Sequence, residues 1–265
     1  MRDDLTLSNR RGFLGLMAGA GAILGTGLAS SMAYAQAGTD VGRKFFADGR
    51  VRPFAGNTIV CHLPQQGEPS KPFHALLDIY RNAPTYPFSS KLAWLPPSSY
   101  HMTVFGGAND QGRGRAGQWP DDIKPDTPMD DCNRILGDRL RRFKLDTVLP
   151  IRMRFDLDEP PADANALKLM LLPKDAAENA RLRDLRNRLA DCLKIHSPTH
   201  DAYGFHISLG YWLAGLTPQE QEALATSQRL WRHASAAAAP VIALGAPEFC
   251  LFKDMFAFER QFYLT

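Results

Sequence analysis

The stretch that most constrains the fold is residues 204–211, in which apolar and polar residues alternate. Its apolar residues take every second position, and His206 and Ser208 lie between them. This period of two predicts a β-strand with one buried face. Residues two apart on a strand point the same way, so His206 and Ser208 share the other face. A second stretch of this kind, residues 100–105, lies 105 positions upstream and carries His101 and Thr103 in the same arrangement.

A third His-x-Ser/Thr match, His233-Ala234-Ser235, lies in a predicted helix. Residues two apart on a helix do not share a face. We therefore interpret this third match as coincidental, and the two strand motifs as a pair.

The first 35 residues predict an export signal rather than part of the fold. Asn9-Arg10-Arg11 precedes an uncharged run rich in Gly and Ala, which ends in the small-x-small pattern Ala33-Tyr34-Ala35. A twin arginine before such a run resembles the bacterial twin-arginine export signal. The 24-residue run is also long enough for a membrane anchor, but its Gly and Ala content favours cleavage over insertion. We expect residues 1–35 to be recognised by the twin-arginine machinery and removed. The mature protein would then be periplasmic or secreted, without stable membrane association.

Charge and cysteine content narrow the function classes. A formal net charge of +3 over 265 residues does not indicate a long basic groove for nucleic acid. Four cysteines allow three disulfide pairings, and no C-x-x-C motif is present. Two of them, Cys61 and Cys250, lie in apolar strand-like runs, which is typical of buried thiols. We therefore expect all four, including Cys132 and Cys192, to be structural thiols.

The remaining pattern predicts an α+β fold with mostly antiparallel sheet. Residues 36–56 form an N-terminal arm, and residues 57–265 form one domain of two lobes, about 57–127 and 145–265. Each lobe places a helix before its motif strand. Predicted strands cover residues 57–63, 91–95, 100–105, 150–157, 166–172, 204–211, 248–253 and 256–264, and predicted helices cover residues 72–83, 128–143, 174–196 and 217–238.

His101-Met102-Thr103-Val104 and His206-Ile207-Ser208-Leu209 resemble the paired signatures of the 2H phosphoesterase superfamily. The surrounding runs are similar to a bacterial branch known mainly as a domain of unknown function. The resemblance implies two lobes whose sheets face a central cleft, with helices outside. It also implies a phosphodiesterase acting on a small nucleotide or an RNA end, since familiar members act on 2′,3′-cyclic phosphates or 2′-5′ linkages.

The residue types suit this chemistry. Displacement at phosphorus needs a base on the attacking water and an acid on the leaving oxygen, and a histidine pair supplies both near neutral pH. We expect His101 and His206 to fill these roles, in an order that the sequence leaves open. The hydroxyls of Thr103 and Ser208 would hold the phosphate oxygens, with no metal or cofactor.

Flanking residues are further candidates for substrate contacts. Tyr100, Tyr203 and Tyr211 would either stack on a base or sugar or pack in the core. The Gly-rich loop at residues 106–126 is either a solvated excursion or a lid whose Arg113 or Arg115 reaches an anion.

Two other interpretations remain. His196 and His200 have the spacing of helical zinc ligands, but Pro198 between them favours a turn. The alternative function is an exported protein that binds a nucleotide or another phosphate ligand without turnover.

Overall fold

The computed structural model describes residues 40–158 and 165–265. The predicted signal peptide, residues 1–35, lies outside the described residues, as does the start of the arm. Within the described ranges, no helix combines the length and the apolar character needed to cross a membrane.

Helices and strands of the described residues form an α+β fold, which confirms the predicted class. The helices are α1 (Lys71–Arg81), α2 (Met129–Arg141), α3 (Ala176–Leu193) and α4 (Pro218–Ala238). The strands are β1 (Gly56–His62), β2 (Leu92–Trp94), β3 (His101–Asn109), β4 (Ile151–Phe155), β5 (Ala166–Pro173), β6 (Phe205–Trp212), β7 (Ile242–Leu244), β8 (Glu248–Phe252) and β9 (Glu259–Tyr263). The sequence prediction missed β7, because this strand has three residues, which are too few to show an alternation.

The nine strands form one antiparallel sheet in the order β7-β4-β5-β6-β3-β1-β8-β9, with β2 also paired to β6. Strands are exchanged between the halves of the chain. β2 comes from the first half but pairs with β6, whereas β8 and β9 come from the end of the chain and extend the sheet beyond β1. The halves are therefore interlocked, and the two motif strands β3 and β6 are neighbours at the centre.

Two of the helices begin at residues whose side chains cap the first turn. Asp175 accepts a hydrogen bond from the backbone N–H of Glu178 at 2.8 Å and starts α3. Thr217 and Glu220 form a reciprocal capping box that starts α4. Such caps satisfy backbone N–H groups that the first helical turn leaves unpaired.

One buried arginine ties α3 to the motif strands. Arg186 donates to the carbonyl of Val104 on β3 at 2.6 Å and to that of His200, before β6, at 3.4 Å. Its guanidinium also lies 4.0 Å from the ring centroid of Tyr203. Burial lowers the pKa of Arg186 to about 10, a value at which the side chain stays charged at neutral pH. The clamp fixes the approach of the chain to β6 relative to β3.

A register shift on β6 changes which residues face the motif side. Ser208 pairs with Lys168 and Gly210 pairs with Leu167, so Leu209 is an extra residue on β6. Such a bulge lets residues three apart share a face. Tyr211 consequently joins His206 and Ser208 on one face, while Gly210 points to the other.

The bulge predicts a steric requirement at Gly210. A Cβ there would lie 2.8 Å from side-chain atoms of Leu92 and 2.9 Å from the carbonyl oxygen of Ala93. We expect Gly210→Ala to destabilise the protein by about 1–3 kcal/mol through overpacking. Urea unfolding followed by circular dichroism measures this. In the matched control Gly245→Ala, the new Cβ meets nothing within 4 Å. Equal midpoints for the two variants would contradict the packing argument.

Candidate active site

The four motif side chains line one cavity of about 270 Å³. His101 and Thr103 reach it from β3, and His206 and Ser208 reach it from β6. The structure therefore brings the two sequence motifs to one place, as the alternation on both strands requires.

Strand register sets the arrangement of the four groups. Met102 of β3 pairs with Ile207 of β6. Continuing this antiparallel register by one residue places His101 opposite Ser208 and Thr103 opposite His206. The two histidines are then diagonal neighbours, about 7–8 Å apart on the sheet. That separation lets two imidazoles approach one phosphate from opposite sides.

Both imidazoles are oriented by the same backbone contact. His101 Nδ1 lies 2.7 Å from the carbonyl oxygen of Ser99, and His206 Nδ1 lies 2.9 Å from that of Gly204. A carbonyl only accepts, so Nδ1 carries the hydrogen in each ring. The neutral tautomer therefore has its lone pair on Nε2 in both histidines.

His101 lies in apolar surroundings. Its ring centroid is 4.3 Å from that of Phe258 and 5.8 Å from that of His62. Burial, which outweighs the hydrogen bond to Ser99, lowers the pKa of His101 to about 3, and the neighbouring His62 and His206 act in the same direction. His101 is therefore neutral at physiological pH.

Two cations of the N-terminal arm also line the cavity, Arg43 and Lys44. Lys44 Nζ lies 3.4 Å from the hydroxyl of Tyr211 and 4.4 Å from its ring centroid. Aromatic and apolar side chains also line the cavity, namely Phe54, Leu95, Phe252, Met255 and Phe258. The cavity thus offers polar and cationic groups together with aromatic surface.

The three candidate tyrosines have different positions. Tyr211 lines the cavity. Tyr203 does not, because its hydroxyl points to the carbonyl of Thr103, 3.5 Å away, and its ring covers Arg186. Tyr100 is 2% exposed in the core, so it is not placed to stack on a ligand. Of the three, Tyr211 alone is placed to contact a ligand in the cavity.

Neither arginine of the Gly-rich loop lines the cavity. Arg113 donates to the carboxylate of Asp110 and to the carbonyls of Pro125 and Thr127, and its guanidinium lies over Trp119. These contacts join the two ends of the loop and leave the Arg113 guanidinium outside the cavity. Arg115 is exposed. The predicted lid is therefore corrected: the cations at the cavity come from the arm and not from this loop.

Two comparisons with known proteins found similar proteins. The family described as "2H-phosphodiest: Domain of unknown function (DUF1868)" matches residues 44–162, a range that includes His101 and Thr103 but ends before His206. A crystal structure of a conserved protein of unknown function, ATU0111 from Agrobacterium tumefaciens str. C58, is 30% identical to the chain. The similarity covers 87% of this chain and 94% of that one, with a TM-score of 0.77. Among curated proteins, none matches.

The chain belongs to the DUF1868 family. The family's name points to 2H phosphodiesterase-like enzymes, so a phosphoesterase-type function follows at this coarse level. The predicted relation to the 2H phosphoesterases is confirmed at this coarse level, while the family match contains the first motif and ends before the second.

One group of side chains in this DUF1868 protein has metal-ligand chemistry. His62, Glu248 and Cys250 place ligand atoms within 4.8 Å of one another. Glu248 already accepts a hydrogen bond from His62 Nδ1 at 2.9 Å and lies 3.6 Å from Arg260. Burial, followed by the Glu248 charge, raises the pKa of Cys250 to about 12, which keeps the thiol protonated. We interpret the group as a hydrogen-bonded cluster beside His101, in which Glu248 already has His62 and Arg260 as partners.

The two histidines that the sequence suggested as zinc ligands, His196 and His200, have other partners. His196 contacts Asp121 at 3.0 Å and His200 contacts Asn187 at 2.8 Å, both in the turn after α3. All four cysteines are free thiols.

The neutral state of His101 predicts a titration result. We expect the His101 ring resonances to stay fixed between pH 8 and pH 5, because burial keeps its pKa near 3. The resonances of His196, whose pKa is raised by its hydrogen bond to Asp121, should move above pH 6.5 in the same spectra. NMR with assignment by His101→Gln checks this, and a His101 midpoint near 6.5 would contradict it.

The free energy of unfolding should depend on pH, because His101 binds a proton at a different pH in the folded and in the unfolded chain. The unfolded chain binds a proton at His101 as the pH falls through about 6.5, whereas the folded chain does not until about pH 3. More protons bound in the unfolded state means that stability falls with falling pH in this window. We expect wild type to lose more stability between pH 7 and pH 5 than His101→Gln, measured by urea unfolding. An equal loss would count against a buried, neutral His101.

Proposed function

We propose that the protein is a phosphodiesterase that hydrolyses a cyclic phosphate or phosphodiester of a nucleotide or an RNA end without a metal ion. The observation that supports this most is the placement of two histidines and two hydroxyls, on neighbouring strands, around one cavity. In both histidines, Nδ1 is held by a backbone carbonyl, of Ser99 or of Gly204. Both rings therefore leave Nε2 available to a substrate.

His101 is the better candidate for the general base. Its low pKa leaves Nε2 unprotonated at neutral pH, ready to accept a proton from water. A phosphate bound beside it adds negative charge, which raises the pKa of the imidazole and strengthens it as a base when substrate is present. His206, on the opposite side of the phosphate, would protonate the leaving oxygen.

Thr103 and Ser208 would donate hydrogen bonds to the non-bridging oxygens. Each hydroxyl lies across the strand pair from a histidine of the other motif, so a phosphate bound between the histidines contacts both strands. Fixed donors of this kind stabilise the charge that develops on these oxygens in the transition state.

The cavity sets the size of the substrate. A volume of about 270 Å³ lies just below the usual range for small-molecule sites, so it suits one nucleotide better than a folded RNA. The aromatic residues of the lining suit a base or sugar, and the cations suit phosphate. We further propose that the protein works outside the cytoplasm, after export by the signal in residues 1–35.

The main test is hydrolysis of nucleoside 2′,3′-cyclic monophosphates in EDTA. We expect His101→Ala and His206→Ala each to lower kcat by about 10²–10⁴-fold, the usual contribution of a general acid or base. His233→Ala, which changes the exposed histidine of the coincidental third match on α4, should retain wild-type rates.

An unchanged rate in either motif variant would falsify the role given to that histidine. Thermal stabilisation by these nucleotides without any wild-type turnover would favour the alternative, a binding protein.

The hydroxyls give a separate prediction. Thr103→Val and Ser208→Ala should each lower kcat by about 10²–10³-fold, because the donors act on charge that develops in the transition state. Steady-state kinetics on the same substrates measure kcat and KM separately. A rise in KM with unchanged kcat would show that the hydroxyls contribute ground-state binding alone.

A further inference from the structure

Two cations of the arm, Arg43 and Lys44, line the same cavity as the motif residues. Arg43 and Lys44 both contact the carboxylate of Asp40, and the Lys44 Nζ–Asp40 Oδ2 distance is 3.4 Å. The Asp40 side chain is 3% exposed, whereas those of Lys44 and Arg43 are 15% and 39% exposed. One buried anion therefore holds two cations at the cavity wall, and the group keeps a net charge of +1.

The arm that carries these cations is fixed in place. Phe45 is buried, and its ring centroid lies 5.2 Å from that of Tyr211 and 6.1 Å from that of Phe256. The backbone N–H of Phe54 donates to the carbonyl of Lys253 at 2.7 Å. Lys44 is thus held by packing on both sides, and its ammonium lies over the rings of Tyr211 and Phe54.

The position of Tyr211 separates these cations from the four motif groups. Tyr211 is three residues beyond Ser208, a distance of about 7–10 Å along the strand at roughly 3.3 Å per residue. Among the described residues that line the cavity, none is Asp or Glu. An anion at Lys44 would therefore meet no opposing carboxylate on the cavity wall.

We propose that Arg43 and Lys44 bind a second phosphate of the substrate, so that the substrate is a nucleotide carrying a 5′-phosphate or diphosphate besides the scissile phosphate. This inference rests on the proposed function for the scissile end. The aromatic rings that line the cavity would then contact the sugar and base that join the two phosphates. Charge-assisted hydrogen bonds to phosphate are worth enough to give about tenfold or more in affinity.

The test compares adenosine 2′,3′-cyclic phosphate with and without a 5′-phosphate, using the purified full chain. We expect wild type to show a kcat/KM at least tenfold higher for the 5′-phosphorylated substrate. Lys44→Gln should reduce that ratio to below twofold, and Lys44→Arg, which keeps the charge, should retain most of it. The control Arg50→Gln changes an exposed cation of the same arm that contacts Asp48 and does not line the cavity, and it should leave the ratio unchanged.

A binding measurement separates this inference from the proposed function. Calorimetry with adenosine 3′,5′-bisphosphate and adenosine 3′-monophosphate needs no turnover, and wild type should bind the bisphosphate at least tenfold more tightly. If neither cyclic substrate is hydrolysed but this difference is present and lost in Lys44→Gln, the second site stands and the proposed function fails. If hydrolysis occurs with no preference and no difference in binding, the second site is overturned and the proposed function stands.

Discussion

The candidate site depends on one backbone pairing, between Met102 of β3 and Ile207 of β6. Both side chains are buried in the core, so the residues on either side of each point to the opposite face. A slip of one residue on either strand would turn its histidine and hydroxyl into the core and its apolar residues into the cavity. The hydrophobic alternation therefore fixes which face carries the histidines and hydroxyls, since it excludes any slip by an odd number of residues.

Interlocked strands protect that register. β2 continues the edge of β6 beyond the point where β3 leaves it, and β8 supports β1 from the far end of the chain. Arg186 adds a contact from α3 to Val104 on β3. Displacing β3 relative to β6 would disturb each of these contacts at once, which is why a single pair suffices to align the two motifs.

Much of this arrangement is visible in the sequence, because both motif strands alternate cleanly and each ends at a loop or turn. The four helices are also predicted from their apolar spacing, within a few residues of their observed ends. The bulge at Leu209 is not visible, since it arises from pairing with β5 rather than from any local pattern. The contribution of Arg43 and Lys44 is hidden for a related reason: the arm shows no periodicity, and its position comes from Phe45 packing on distant residues. Arg113 had the right chemistry in the sequence, but partners within its own loop hold it away from the cavity.

Tyr211 links these parts of the structure. The bulge turns it toward the cavity, where its ring packs on Phe45 and lies under the ammonium of Lys44. The strand that carries His206 and Ser208 thereby also positions the arm. The same geometry explains how the cavity tolerates its charges. Lys44 has the Asp40 carboxylate as a partner, whereas His101, which packs on Phe258 and donates to a backbone carbonyl, remains neutral. In the proposed reaction, a phosphate would supply negative charge beside His101 and a second partner to Lys44. Binding of the substrate would then also raise the pKa of His101, so that binding and activation of the proposed base would occur together.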